Sequence, residues 1–128
     1  MTKNELRQYH RLGEEIEDLK QRIADLRSTS LKSPNLDGMP RPQGGSGDPI
    51  GATIARIESL EARLAADEAD RYLIETVISS VRDVSKRMVL RHRYMDEMPW
   101  EQIAEAMNYS VQHIYRIHGA ALNEIAQK

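Results

Sequence analysis

Residues 100–117 read WEQIAEAMNYSVQHIYRI, and this stretch decides the fold of the C-terminal part of the chain. Ile103 and Met107 are four residues apart, so both fall on one face of a short helix. Asn108 tolerates the left-handed backbone that ends a helix sharply, and Ser110 is a good N-cap for a following helix. The stretch therefore predicts two helices joined by a tight turn, which is the spacing of a helix-turn-helix.

The second of these helices carries the side-chain types that read DNA bases. Its predicted inner stripe is Ile114, Ile117 and Leu122, which leaves the opposite face for solvent. In the major groove, glutamine pairs with adenine, arginine pairs with guanine, and valine contacts the thymine methyl group. The candidate base-reading residues are Val111, Gln112, Tyr115 and Arg116. The alternative interpretation is a polar face that only interacts with water.

Cations cluster next to this pair of helices. Residues 86–93 hold four Lys or Arg residues and no acidic residue, whereas residues 34–81 hold four Lys or Arg against eight Asp or Glu. Cations beside a reading helix fit phosphate contacts that orient it on the duplex, although each also fits a solvated helix face. The candidate phosphate contacts are Lys86, Arg87, Arg91, Arg93, Ser110, His113 and His118. The net charge of −2 adds no general attraction to nucleic acid.

The segments VLRHRY at 89–94 and PWEQIA at 99–104 resemble region 4 of sigma-70-type factors. Residues 109–118 are also similar to small phage-encoded regulators with such a domain, the ArpU/RinA-like late-gene activators. The resemblance implies binding to double-stranded promoter DNA, a contact with host RNA polymerase, and base reading by the four candidates above. Val111 and Gln112 stand where sigma factors often carry an Arg-Glu pair. The DNA sequence that is read is therefore expected to differ from the ordinary promoter element.

The N-terminal half has the apolar pattern of long paired helices. A first helix is predicted at 3–27, and its seam consists of Tyr9, Leu12, Ile16, Leu19, Ile23 and Leu26. A second helix carries an apolar stripe that weakens over 67–71. This interruption marks either a bend in the helix or a stretch that lies beyond the end of the first helix. The stripe consists of Ile50, Ile54, Ile57, Leu60 and Leu64, then of Leu73, Ile74, Val77, Ile78 and Val81. Each one-sided apolar stripe requires another helix as its partner.

Residues 28–49 separate the two long helices and contain four of the five prolines and four glycines. This composition opposes both helix and strand and predicts an extended connector, with a partner-docking segment as the alternative. The length of the connector permits an antiparallel hairpin within one chain and equally permits pairing with another chain. The periodicity does not decide between these arrangements.

A further helix through Met88, Val89, Leu90 and Tyr94 is predicted before the helix-turn-helix. Asp83 or Ser85 is its N-cap. Pro99 suits the first turn of the next helix, because the missing N–H costs nothing there. The small core expected for this module consists of Leu90, Tyr94, Trp100, Ile103 and Ile114.

Several function classes find no support in the sequence. His113 and His118 are five residues apart and miss the spacing of a helical zinc pair, and no phosphate-binding loop or activated nucleophile is present. We therefore expect no enzymatic activity, no cofactor and no metal. No apolar run approaches the roughly 20 residues that span a bilayer, and the chain contains no cysteine. Because residues 1–5 are not followed by the apolar core of a signal peptide, we expect none. A cytoplasmic protein of a bacterial host cell, without a membrane partner, is expected.

Together these features predict an all-α protein. A long helical hairpin or coiled-coil arm at 1–81, with the connector at 28–49, precedes a sigma region 4-like helix-turn-helix at 82–128. The expected function is sequence-specific transcription regulation of phage or prophage genes, as an activator that contacts RNA polymerase. The arm is expected to form a homodimer or a higher homo-oligomer. Two alternatives stay open: a small DNA-packaging protein of the terminase small subunit type, and a helical protein-interaction module without DNA binding.

Overall fold

The computed structural model describes residues 1–31 and 49–127, and all regular structure in these ranges is helical. The predicted all-α class is confirmed. Residues 32–48 of the predicted connector at 28–49 lie outside the described residues, whereas residues 28–31 end α1 and Pro49 begins α2. The helices are α1 (Lys3–Leu31), α2 (Pro49–Ser79), α3 (Val84–Leu90), α4 (Trp100–Met107) and α5 (Val111–Ile125). A π-helical turn at Arg91–Met95 continues α3.

Contacts divide the chain into two units. The C-terminal unit consists of Met1–Glu14 and Glu68–Lys128, and the hairpin unit is Glu15–Asp67. Residues 68–81 thus belong with the C-terminal helices, whereas the boundary predicted from sequence follows residue 81. The physical reason is that Ile74, Ile78 and Val81 are buried in one core with residues of α5.

In the hairpin unit, α1 and α2 pair within one chain. The α1 seam residues Ile16, Leu19 and Ile23 are buried, as the heptad pattern predicts. Arg27 Nη2 donates a hydrogen bond to Glu61 Oε2 at 2.6 Å. Within this unit the seam of α1 is therefore covered by the second helix of the same chain.

Helix α2 is continuous across residues 67–71, where the apolar stripe weakens. Its seam passes through Leu60, Leu64 and Asp67 with spacings of four and three, and Asp67 is only 1% exposed. The Asp67 carboxyl group thus occupies a seam position, in the stretch where the sequence pattern predicted an interruption of the apolar stripe. The predicted stripe was wrong at three apolar residues that the structure leaves exposed: Ile50, Ile54 and Leu73.

The first of two buried clusters in the C-terminal unit brings the start of α1 together with the end of α2, the π-helical turn and α5. Its buried members are Leu6, Tyr9, Ile74, Ile78, Val81, Leu90, Tyr94, Ala121 and Ile125. At its edge the Tyr9 hydroxyl donates to Glu75 Oε1 at 2.6 Å, and the Arg71 guanidinium lies over the Tyr9 ring at 4.4 Å. Gly13 leaves room for Arg71, because a Cβ at that position would lie 3.0 Å from Arg71 Nη2.

A second cluster joins α3, α4 and α5. Val89, Ile103, Ala104 and Ile114 are buried in it, and Trp100 packs at its margin. Helices α3 and α4 both contact α5. The single small core expected from sequence is therefore two clusters, with Leu90 and Tyr94 in the first and Ile103 and Ile114 in the second.

The inner face of α5 differs from the predicted stripe. Its buried residues are Ile114, His118, Ala121 and Ile125, whereas Ile117 and Leu122 are only half-buried. The spacing of four, three and four residues satisfies the helical period. The prediction was wrong because it left out a polar residue, His118, that occupies a central position of the stripe.

The helix starts follow the sequence closely. Asp83 is the N-cap of α3, since its Oδ1 accepts a hydrogen bond from the Lys86 amide at 3.0 Å. Of the two predicted caps, Asp83 and not Ser85 is therefore used. Pro99 stands at the N-cap of α4, one residue before the first turn in which it was predicted, because its backbone is extended there.

Candidate nucleic-acid interface

The turn between α4 and α5 is a Schellman motif. Asn108 has φ 61° and ψ 43°, which confirms the left-handed conformation predicted for it. The amide of Asn108 donates to the Glu105 carbonyl at 3.2 Å, and the amide of Tyr109 donates to the Ala104 carbonyl at 2.9 Å. Both bonds satisfy carbonyls at the end of α4, so the direction of the chain into α5 is fixed.

Helix α5 begins with the predicted cap. Ser110 Oγ accepts a hydrogen bond from the His113 amide at 3.1 Å. The His113 ring then packs edge-on against the Tyr109 ring, with 4.6 Å between centroids. These contacts hold the first turn of α5, where base-reading side chains of a helix-turn-helix are concentrated.

Three of the four candidate base-reading residues are exposed on one face of α5. Gln112, Tyr115 and Arg116 all point to solvent, and Tyr115 is 49% exposed. Val111 is half-buried and packs against the second cluster, so only part of it is accessible. We call Gln112, Tyr115 and Arg116 the exposed face of α5. It places an amide, a phenol and a guanidinium side by side.

Tyr115 is held in position by α4. Its ring meets the Trp100 ring edge-on, with 5.3 Å between centroids. Trp100 is in turn fixed by the Arg93 guanidinium, which lies 4.3 Å from the ring centroid. The exposed face of α5 is therefore braced by aromatic and cation–π contacts that come from α4 and the π-helical turn.

Two of the predicted phosphate contacts come together at the start of α5. Lys86 and His113 line an open cavity of about 330 Å³ together with Tyr109 and the base-reading candidate Arg116. Lys86 Nζ lies 3.4 Å from Glu124 Oε1, which neutralises part of its charge. The Ser110 hydroxyl accepts the capping bond through its oxygen and keeps its own proton to donate.

The other predicted cations are arranged differently. Arg91 is exposed. Arg87 Nη1 donates to the Val81 carbonyl at 2.6 Å and to the Arg82 carbonyl at 3.3 Å, so it fastens the loop before α3. Arg93 Nη1 donates to the Met98 carbonyl at 3.1 Å. The stretch 86–93 is therefore not one cationic strip, and Arg87 has a structural role.

His118 is a correction to the predicted phosphate contacts. It is 7% exposed, and its Nε2 lies 2.6 Å from the Tyr94 hydroxyl. Burial, and then the nearby charges of Lys3, Arg93 and Arg7, lower the pKa of His118 to about 4. A neutral and buried imidazole does not attract a phosphate, so the prediction of a phosphate contact at His118 was wrong.

The sequence analysis did not identify two cations, Lys3 and Arg7, that belong to the C-terminal unit. Lys3 and Arg7 of α1 line a cavity of about 420 Å³ with Arg93 and Trp100. The sequence indicates part of this arrangement. Lys3 lies one helical turn before the buried Leu6 and Arg7 directly follows it, so both lie near the face of α1 that packs into the core. Which distant segment they face depends on tertiary packing, which no local pattern indicates.

No family model, curated protein or solved structure matches this chain. Among the described helices, none is long and apolar enough to cross a membrane. The described ranges also contain no group of three His, Asp or Glu residues placed to hold a metal ion.

Proposed function

We propose that this chain is a sequence-specific DNA-binding transcription regulator of phage or prophage genes, with the exposed face of α5 reading bases in the major groove. The observation that carries the proposal is the Schellman turn at Asn108 followed by the capped start of α5. This geometry leaves Gln112, Tyr115 and Arg116 outward while Ile114 is fully buried. An outward amide and guanidinium on one helix face are the groups that pair bidentately with adenine and guanine.

In this proposal the helices α4 and α5 act as the helix-turn-helix of a sigma region 4-like module. Lys86, His113 and Ser110 contact backbone phosphates beside α5, and Arg91 adds a further cation. The regulator acts in the cytoplasm of a bacterial host as an activator, and it contacts RNA polymerase once bound. The resemblance of 89–94, 99–104 and 109–118 to that class of module supports this part of the proposal.

The proposal also includes a dimer, because a single module with few phosphate contacts binds weakly at physiological salt. Two modules on one DNA multiply their affinities through effective concentration. The exposed Ile54 of the hairpin unit, at 50%, supports a surface that a second copy covers. Light scattering tests this: we expect twice the chain mass of 14.6 kDa. A ring of eight or more chains would instead favour the DNA-packaging alternative.

DNA binding is tested by selecting a site from a random duplex library and measuring affinity by fluorescence anisotropy at low salt. We expect Arg116→Ala to weaken binding to the selected duplex about 5- to 150-fold, which corresponds to the loss of one bidentate base contact. Arg11→Ala is the matched control, because it removes an exposed arginine from α1 that lines neither cavity. A library that yields no enriched sequence, with no binding at low salt, would leave the protein-interaction alternative standing.

A further inference from the structure

A second cationic site lies in the C-terminal unit, away from the start of α5. It is the cavity of about 420 Å³ lined by Lys3, Arg7, His10, Arg93, Tyr94, Glu97 and Trp100. Three permanent cations and one carboxylate face it. The carboxylate is already engaged, since Glu97 Oε2 lies 3.1 Å from His10 Nε2. The cavity therefore presents a net positive surface to any ligand.

Two of its cations, Lys3 and Arg7, form no ion pair with a carboxylate among the described residues. Lys3 lies in the first turn of α1, where the helix dipole disfavours positive charge, and the i, i+4 spacing of Lys3 and Arg7 makes the two repel each other. The stability of α1 thus does not explain why Lys3 and Arg7 occupy these positions. An anionic ligand that binds between Lys3, Arg7 and Arg93 explains it.

The third cation, Arg93, is fixed in position by its neighbours. The Arg93 guanidinium lies over the Trp100 ring at 4.3 Å, and one of its nitrogens donates to the Met98 carbonyl. A guanidinium has five N–H donors in a fixed plane, so most of them remain for a further acceptor. Because its position is fixed in advance, little conformational entropy is lost when an anion binds.

The backbone around the cavity is unusual at two places. Arg93 and Tyr94 belong to the π-helical turn, and π-helical turns occur frequently at functional sites. Glu97 has φ 53°, a left-handed conformation that a glutamate adopts at a cost in free energy. Both irregularities place side chains on the cavity wall. Burial lowers the pKa of His118, and the charges of Lys3, Arg93 and Arg7 lower it further, so the fields of these cations converge on this region.

We propose that this cavity binds a phosphoryl group, held by Lys3, Arg7 and Arg93 beside the face of Trp100. Two guanidinium groups and an ammonium match the several acceptor oxygens of an anionic, tetrahedral phosphoryl group better than the two oxygens of a planar carboxylate. The source is either a backbone phosphate of bound DNA or a soluble phosphate ester. Trp100 also contacts Tyr115, so a backbone phosphate here would flank the exposed face of α5. The DNA source rests on the proposed function, and the soluble source does not.

The first experiment uses Trp100 itself, which is the one tryptophan of the chain. The full-length protein is titrated with pyrophosphate at constant ionic strength, with chloride as the reference anion, and tryptophan emission is recorded. We expect a saturable change for pyrophosphate and none for chloride. The double variant Lys3→Ala/Arg7→Ala is expected to bind at least 10-fold more weakly. The double variant Lys20→Ala/Arg56→Ala removes the same charge from the hairpin unit and is expected to match the wild type.

The second experiment measures DNA affinity for the selected duplex at several salt concentrations. Loss of this one phosphate contact in Lys3→Ala/Arg7→Ala is expected to reduce the slope of log K against log salt by about 1. A reduced slope assigns the site to a DNA phosphate, and a pyrophosphate effect alone assigns it to a soluble phosphate ester. The proposal is overturned when Lys3→Ala/Arg7→Ala behaves like Lys20→Ala/Arg56→Ala in both experiments. Should the wild type bind no DNA at all, the proposed function fails, and the fluorescence titration alone decides about the cavity.

Discussion

The Tyr94 hydroxyl lies 2.6 Å from Nε2 of His118, inside the C-terminal unit. Burial raises the pKa of Tyr94 and, with the charges of Lys3, Arg93 and Arg7, lowers the pKa of His118 to about 4. Both groups are thus neutral at neutral pH. We assign the tyrosine as the donor and the unprotonated Nε2 as the acceptor, which places the imidazole proton on Nδ1.

This bond predicts how stability depends on pH. The folded-state pKa of His118 is depressed below the unfolded value of 6.5. Its contribution is therefore fully present above pH 6.5 and is lost as the pH falls through about 4. We expect the free energy of unfolding to fall by about 3 kcal/mol over this window on account of His118. Urea denaturation at a series of pH values measures the change.

The variant His118→Gln is the matched control, because it cannot gain a proton and its pH dependence should be flatter. An NMR titration gives the pKa directly. A value near 6.5 for the His118 imidazole would contradict the assignment of a buried neutral group.

The hairpin unit contains a pair of acidic residues with the opposite pH response. A hydrogen bond and charge repulsion from Asp67 raise the pKa of Glu15. Asp67 is buried, and its Oδ2 has no hydrogen-bond partner among the described residues. Since the folded-state pKa of Glu15 lies above its ordinary value, its proton stabilises the hairpin at acidic pH and is lost as the pH rises through that pKa.

We therefore expect Glu15→Gln to raise the melting temperature at pH 7, because the amide donates to Asp67 without adding charge. The gain should shrink on acidification, when Glu15 itself carries the donor proton. Glu17→Gln, at an exposed position of the same helix, is the control. Equal effects of the two substitutions at pH 7 would show that only net charge matters.

The turn at Asn108 is expected to be sensitive to side-chain type. With φ 61°, alanine there pays the steric cost of the left-handed region, whereas glycine does not. We expect Asn108→Ala to lower the free energy of unfolding by about 1–2 kcal/mol and Asn108→Gly to change it little. Chemical denaturation of both variants checks this. Equal losses would mean that the asparagine side chain, and not the backbone conformation, matters at this position.

Two helical glycines should respond in opposite ways to alanine. A Cβ at Gly119 meets nothing within 4 Å, so Gly119→Ala is expected to gain about 1 kcal/mol of helix propensity. At Gly13 a Cβ would lie 3.0 Å from Arg71 Nη2, so the same gain is offset by displacement of that guanidinium. Thermal unfolding of the two variants compares them. A larger gain at Gly13 than at Gly119 would contradict the packing of Arg71.

The local elements were predictable from the sequence because their signals are local. The αL residue Asn108, the caps Ser110 and Asp83, and the seam of α1 all depend on residues within a few positions of one another. Such propensities act before any tertiary contact forms.

The packing of polar residues was not predictable in this way. His118 and Asp67 occupy buried positions that satisfy the helical period, but a prediction of the core from apolar residues alone does not include them. Nor does any local pattern indicate that Lys3 and Arg7 share a cavity with Arg93, about 90 residues further along the chain. These features depend on how α1 packs against the C-terminal helices.

The most direct test of base reading by α5 couples one side chain to one base atom. In the selected duplex, each guanine is replaced in turn by 7-deazaguanine, which lacks the N7 acceptor of an arginine contact. We expect one replacement to weaken wild-type binding about 5- to 150-fold and to leave the affinity of Arg116→Ala unchanged. Equal effects of every replacement on the wild type and on Arg116→Ala would contradict base reading by α5, since Arg116 would then read no guanine.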